Sequence, residues 1–373
     1  MRFERVKASL EKIKNFFPCF FILIPLSVVI VRAVCSAITY DEAYTYLFYA
    51  LPLSEKTSID LLMNMSKTSL LNNHWLNTVL IAFFTSLFKV KYNEFIIRIP
   101  VLLFAITFYF FAARCVSKKI ISWFEFIFLI FAYYLNEFFG LARGYGISAA
   151  LVFFALVYYR KFILDSSLKN VRMCFYMLLL STYANSSCLL IVFAFCVVAC
   201  VYLMRKNIFV EFLRKNLLHL VIWGIGFFYI TLFHFKVSEP GKPVYMVNDV
   251  NVLFYIKQYF FLCTYHLNFS DLFFYFLGIS FAALVVLSLV VKDFDNFQFV
   301  LLFLLYLLIL LVIPLVFKRG TLLFRTLIPS YPLFVFCIGV MFRNVESMLH
   351  KKNLYFFYGA KCLLFVVCCL LFL

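Results

Sequence analysis

The chain has 373 residues, 66% of them hydrophobic and only 14% charged, with a mean hydropathy of +1.01. Soluble domains run at about 45–50% apolar and about 25% charged, so water is excluded as the solvent for most of this chain and an all-α polytopic membrane protein is expected. A net charge of +17 does not point to nucleic acid, because the Lys and Arg fall in short clusters between apolar runs, as they do where charge sets membrane topology.

The N-terminus to Lys14 is basic, and an apolar run of 22 residues follows from Phe16 to Ala37. That is longer than a signal-peptide core of about 7–15 residues, so it reads as an uncleaved first span with a cytoplasmic N-terminus. Runs of about 20 apolar residues cross a bilayer core, and about eleven are expected. They lie near 16–37, 94–113, 120–138, 145–159, 171–187, 188–204, 217–235, 271–291, 297–317, 325–342 and 354–373. No repeat or linker interrupts them, so one transmembrane domain over 1–373 is expected, with outer loops at 38–93 and 236–270 and no soluble C-terminal domain. Twelve cysteines without a CxxC, many of them inside apolar runs, suggest small hydrophobes and no structural metal site. A divalent metal at the site is neither required nor excluded.

Trp75–Phe88 decides the topology. Its 14 residues rise only ~21 Å as a helix, and Thr78, Ala82, Thr85 and Lys89 share one small or polar face, which suggests an interfacial helix. With this helix lying flat, 20 Lys and Arg are cytoplasmic against 12 outside; if it crosses, the split is 15 against 17. The positive-inside rule selects the first arrangement.

On that map the polar residues gather on the outer face. First comes Ile38-Thr39-Tyr40-Asp41-Glu42-Ala43-Tyr44-Thr45-Tyr46. Two carboxylates at the mouth of a span are costly to desolvate and suit proton transfer, with Asp41 the favoured base and Glu42 equally readable as a solvated loop acid. Leu71-Asn72-Asn73-His74-Trp75 follows. Here His74 could contact a phosphate or orient an acid, or simply cap a helix, and Asn72 or Asn73 could be the N-cap. Glu137 and Arg143 then flank a turn and could pair, while Gly144 and Gly146 would let backbone and guanidinium approach an anion. Late in the chain Lys318, Arg319 and Arg325 put cations on the outer face against the general trend. One acid among several cations suits a lipid-linked phosphate.

The order Asp41-Glu42-Ala43-x-x-Tyr46, a His-bearing turn, Arg98-Ile99-Pro100 and then Ala142-Arg143-Gly144-Tyr145 resembles the GT-C membrane glycosyltransferases, above all the bacterial family 39 and aminoarabinose-transferase-like group, relatives of protein O-mannosyltransferases. The resemblance is best over residues 38–160, with an echo at Arg325-Thr326-Leu327-Ile328-Pro329. It implies a GT-C-like fold and an inverting transferase using a polyprenyl-phosphate sugar on the outer face of a bacterial inner membrane. The acceptor would be a lipid or glycan hydroxyl or amine, in cell-envelope or lipopolysaccharide modification. It assigns Asp41, with Glu42, to catalysis and His74, Arg143, Tyr145 and Arg325 to the donor phosphate, with Arg98, Glu137, Lys318 and Arg319 in support. The relatives' His-Pro-Pro turn reads Asn73-His74-Trp75 here. An O-antigen polymerase or ligase would need a larger late loop than 236–270. A transporter or flippase would show inverted repeats and broken helices with polar residues at mid-membrane.

Overall fold

A computed structural model describes residues 2–54, 74–89, 93–237, 246–247, 285, 294–317, 321–322 and 324–350. Helix dominates them; the only strands among them are the two-residue pair β1 (Met246–Val247) and β2 (Thr321–Leu322), antiparallel to each other. Among the described residues, five helices are long and apolar enough to cross a membrane: Phe17–Cys35, Glu94–Ser117, Gly144–Asp165, Cys188–Arg205 and Leu327–Asn344. The expected spans at 271–291 and 354–373 lie outside the described residues. The chain forms two compact units, one of residues 1–189 and 216–244, the other of 190–215 and 245–373.

In the first unit, α1 (Arg2–Cys35) packs on α5 (Glu94–Ser117). The contact follows from sequence spacing: Ile97, Val101, Ala105, Phe108 and Ala112 recur at helical period and are fully buried, as are Ile22, Val29 and Ala33 of α1. The other face of α1 presents Phe17, Phe20, Ile24, Val28 and Val31 outward, each at least half exposed. A stripe of that size and apolarity belongs against lipid, not water.

Between these helices lie α2 (Tyr40–Thr45), a π-helical turn (Tyr46–Ala50), α3 (Leu51–Ser54) and α4 (Trp75–Phe88). The face of α4 that bears Thr78, Ala82 and Thr85, together with Asn77 and Ile81, is buried, while Phe83, Leu87 and Phe88 point outward. The helix packs on α3, the π turn and α5, so its small and polar stripe meets protein where the sequence suggested it would meet water.

The expected span at 120–138 is broken into α6 (Trp123–Ile130) and α7 (Tyr133–Phe139). Neither alone exceeds ~12 Å. Asn136 stabilises the break by donating its Nδ2 to the Ile130 carbonyl (3.0 Å) and accepting from the Tyr109 hydroxyl. Helix α8 (Gly144–Asp165) is buried on most sides and packs against α5, α7 and α9 (Leu168–Ala184). Its Ser148, Ala149, Ala150, Val152 and Ala155 let the neighbouring helix approach. Helix α10 (Cys188–Arg205) follows, and then α11 (Phe209–Val237), along which Tyr176 of α9 meets His219 and Phe175 stacks on Trp223 at 4.7 Å.

The second unit takes in most of α10 and the start of α11 and contains α12 (Phe294–Phe317), a 3-10 helix (Phe324–Ser330) and α13 (Tyr331–His350). Phe299 against Phe336 and Phe303 against Phe334 join α12 to α13.

Candidate functional site

Thr39 begins the site. Its side chain accepts from the Glu42 amide while the Glu42 carboxylate accepts from the Thr39 amide at 2.8 Å, a capping box that starts α2. The box fixes Glu42 with its carboxylate turned inward, fully buried, and Asp41 beside it at the surface.

Arg98 of α5 meets that carboxylate. Its Nε and one terminal nitrogen donate to the two Glu42 oxygens, each at 2.9 Å. Its remaining N–H groups reach the carbonyls of Ala33, Ser36 and Ala37, so the guanidinium also satisfies the C-terminal end of α1. All five guanidinium N–H groups therefore have protein acceptors. Glu42 accepts one more bond, from the Ala142 amide at 2.6 Å, bringing its donors to four. Burial alone would raise the Glu42 pKa, but the Arg98 bonds, the two amides and the Arg98 charge outweigh it and hold the carboxyl below its usual value.

Ala142 is thus held by its amide, and its carbonyl accepts from Asn77 Nδ2 at 2.9 Å. Beneath, Tyr46, Ala50, Leu53, Ile81, Ala82 and Ile97 pack with Ala142 into one apolar cluster. The next residue, Arg143, forms an ion pair with Asp41. The Arg143 side chain is 11% exposed and that of Asp41 34%, so the pair sits at the surface of the buried latch beneath it. The Tyr145 ring lies 5.8 Å from the Arg143 guanidinium carbon.

His74 is the N-cap residue of α4, but its side chain does not cap; Asn72 and Asn73 lie outside the described residues. Instead its ring stands edge-on to Tyr145 at 4.5 Å, and Nδ1 bonds the Ala184 carbonyl at 2.9 Å. A carbonyl only accepts, so Nδ1 carries a proton. A Cβ on Gly144 would fall 2.0 Å from the Ala184 oxygen and 2.6 Å from His74 Nδ1, and one on Gly146 would fall 2.8 Å from the Phe138 oxygen. Both glycines therefore serve close packing around the site.

Asp41, Arg143, Tyr145 and His74 thus form a contact chain, with Glu42 and Arg98 behind it. Glu137 does not join Arg143: it pairs with Arg32 of α1 at 2.7 Å. Lys318 and Arg319 lie outside the described residues, and Arg325 stands in the 3-10 helix of the second unit with its side chain outside them. Among the described residues, no three His, Cys, Asp or Glu side chains come together as a metal site would require.

Sequence reading missed Asn77, the Ala184 carbonyl and a second latch. At Ser122 another capping box places Glu125 at 0% exposure, where Arg160 of α8 donates to both carboxylate oxygens and to the Ile120 carbonyl. The signal was present in both cases: Thr39-x-x-Glu42 and Ser122-x-x-Glu125 carry the same capping pattern after an apolar run.

Fold and site define a helical membrane protein with an acid–arginine pair set on a buried ionic latch. Comparison of the chain with protein-family models, with curated proteins and with solved structures finds no match.

Proposed function

We propose that the protein is a multi-pass membrane glycosyltransferase of GT-C type, moving a sugar from a polyprenyl-phosphate donor to an acceptor hydroxyl or amine on the outer face of a bacterial inner membrane, with the N-terminus cytoplasmic. The observation that supports it is the Asp41–Arg143 pair, one proton acceptor and one anion-binding group fixed side by side. In the step envisaged, the acceptor O–H (or N–H) gives its proton to Asp41 as its oxygen (or nitrogen) bonds the anomeric carbon. The bond from that carbon to the phosphate oxygen breaks, and polyprenyl phosphate leaves with the electron pair, its charge met by Arg143 and by His74 nearby. Glu42 is assigned a positioning role, because four donors occupy its carboxylate.

Purified protein given a polyprenyl-phosphate sugar is expected to release polyprenyl phosphate, and Asp41→Asn to lower turnover by about 10²-fold or more. Normal turnover by that variant removes Asp41 as the base. One observation favours a second reading: the break between α6 and α7, with Asn136 at it, is the kind of discontinuity found in transporters of lipid-linked or other solutes. A flippase would move the intact donor across a vesicle membrane and release no polyprenyl phosphate.

A further inference from the structure

We propose that Asp41 and Arg143 are an exchangeable ion pair: the phosphate of a lipid-linked ligand displaces the Asp41 carboxylate from the Arg143 guanidinium, and so releases that carboxylate to accept a proton. The released carboxylate's later task rests on the transferase reading above, whereas the exchange is a binding event that needs no turnover.

Adjacent acids, Asp41 and Glu42, each pair with an arginine from elsewhere in the chain, and the two pairs differ in kind. In Glu42–Arg98 both side chains are fully buried, and every guanidinium N–H already has a protein acceptor. No ligand can enter that pair without dismantling the end of α1. Asp41 precedes Glu42 and Arg143 follows Ala142, whose amide Glu42 holds, and the Asp41 side chain is a third exposed.

The residue beside each partner is tied by hydrogen bonds. Asp41 lies between Tyr40 and the anchored Glu42, and Ala142, which precedes Arg143, is tied at its amide by Glu42 and at its carbonyl by Asn77. An arriving anion can therefore be met only by side-chain rotation. Phosphate matches the planar fork of a guanidinium as well as a carboxylate does; as the diester of a sugar donor it carries one negative charge, like Asp41, and as a monoester nearly two. The Tyr145 ring gives the Arg143 cation a second neighbour that stays in place while one anion replaces another. Unliganded, the two charges cancel, and the base is engaged. With phosphate bound, the guanidinium is engaged by the ligand and the base is released. Donor binding then precedes acceptor deprotonation because both draw on one guanidinium.

The exchange makes an unusual demand on a residue assigned to catalysis: neutralising it must improve ligand binding. Binding of farnesyl phosphate, and separately of inorganic phosphate, to the full-length protein in detergent is measured by calorimetry for wild type, Asp41→Asn, Arg143→Ala and the double variant. Circular dichroism verifies that each is folded, and Asp41→Ser stands in if Asp41→Asn is not. Asp41→Asn is expected to tighten farnesyl phosphate by roughly two- to fivefold, the competition a part-exposed ion pair can exert, and Arg143→Ala to weaken it. In the Arg143→Ala background the Asp41 substitution is expected to give no gain. A matching gain with inorganic phosphate places the exchange on the phosphate itself; a gain with farnesyl phosphate alone places it on the lipid-linked form.

Unchanged or weaker farnesyl phosphate binding by Asp41→Asn overturns the exchange, as does a gain that persists without Arg143, which would mean simple relief of repulsion. Absence of any binding to wild type overturns the exchange and the donor assignment together. Lost turnover without an affinity gain in Asp41→Asn removes the exchange and keeps the transferase. A completed cycle in a protein that transfers no sugar does the reverse.

Discussion

Glu42→Gln tests the latch most directly. The substitution keeps the side chain's shape but removes its charge and converts one acceptor oxygen into an NH₂ donor. In the wild type those two oxygens receive N–H groups from Arg98 twice, from Thr39 and from Ala142. Gln can serve donors at one oxygen only, and its NH₂ then faces donors at the other. Arg98 meanwhile remains a buried cation without its carboxylate, facing the Ala33, Ser36 and Ala37 carbonyls and at most one Gln oxygen. Removing one partner of a buried ion pair costs about 3–5 kcal/mol, and the three carbonyls that still neighbour the guanidinium put the expectation at the lower end. Asp41→Asn, at the more exposed pair, is expected to cost under about 1 kcal/mol. SDS titration in mixed micelles, followed by circular dichroism, measures both. If Glu42→Gln unfolds within about 1 kcal/mol of wild type, or no more easily than Asp41→Asn, the latch does not hold the site as argued.

The Glu42 pKa is lowered in the fold, so its carboxylate contributes stability above the ordinary glutamate value of 4.5, and that contribution is lost as pH falls through the lower folded value. Stability measured on descending through that range is expected to drop in wild type and to be flatter in Glu42→Gln; parallel curves contradict the assignment. Gly144→Ala drives a methyl into the Ala184 carbonyl and His74, whereas Gly224→Ala meets nothing within 4 Å. The first is expected to impair folding or activity severely, and the second to be neutral or stabilising by up to about 1 kcal/mol, as helix propensity favours alanine. Glu125→Gln, breaking the other buried latch, is expected to cost about 3 kcal/mol or more of stability while leaving activity per folded molecule close to wild type. A selective loss of activity in that variant would mean that the two ends of the fold are coupled.

Much of the fold was legible because lipid simplifies the code: long apolar runs at 94–113 and 145–159 recur as α5 and α8, only with longer ends. The break inside 120–138 was not legible, since no Gly or Pro marks it and it rests on Asn136 and Tyr109 meeting from different helices. The stripe on α4 was read correctly as a face, but its partner was not. Period identifies a buried side without saying whether protein or water lies beyond. At the site, Asp41 and Arg143 were singled out separately, yet their contact depends on Ala142 being tied to Glu42 across 100 residues, which no local pattern encodes. Arg98 was expected only in support of the donor site, and Arg160 was not singled out. Each is instead committed to a buried carboxylate whose capping box could have revealed it.

The two latches sit at opposite ends of α5, Arg98 near its start and the Ile120 carbonyl just past its finish. Such a helix is riveted along its own axis. Sliding it by one turn, about 5.4 Å, would strand the Glu42 carboxylate and the Arg98 guanidinium and pull on the Ile120 carbonyl that Arg160 holds. Pistoning of α5 is therefore costly, and the helix is held as a post around which its neighbours pack.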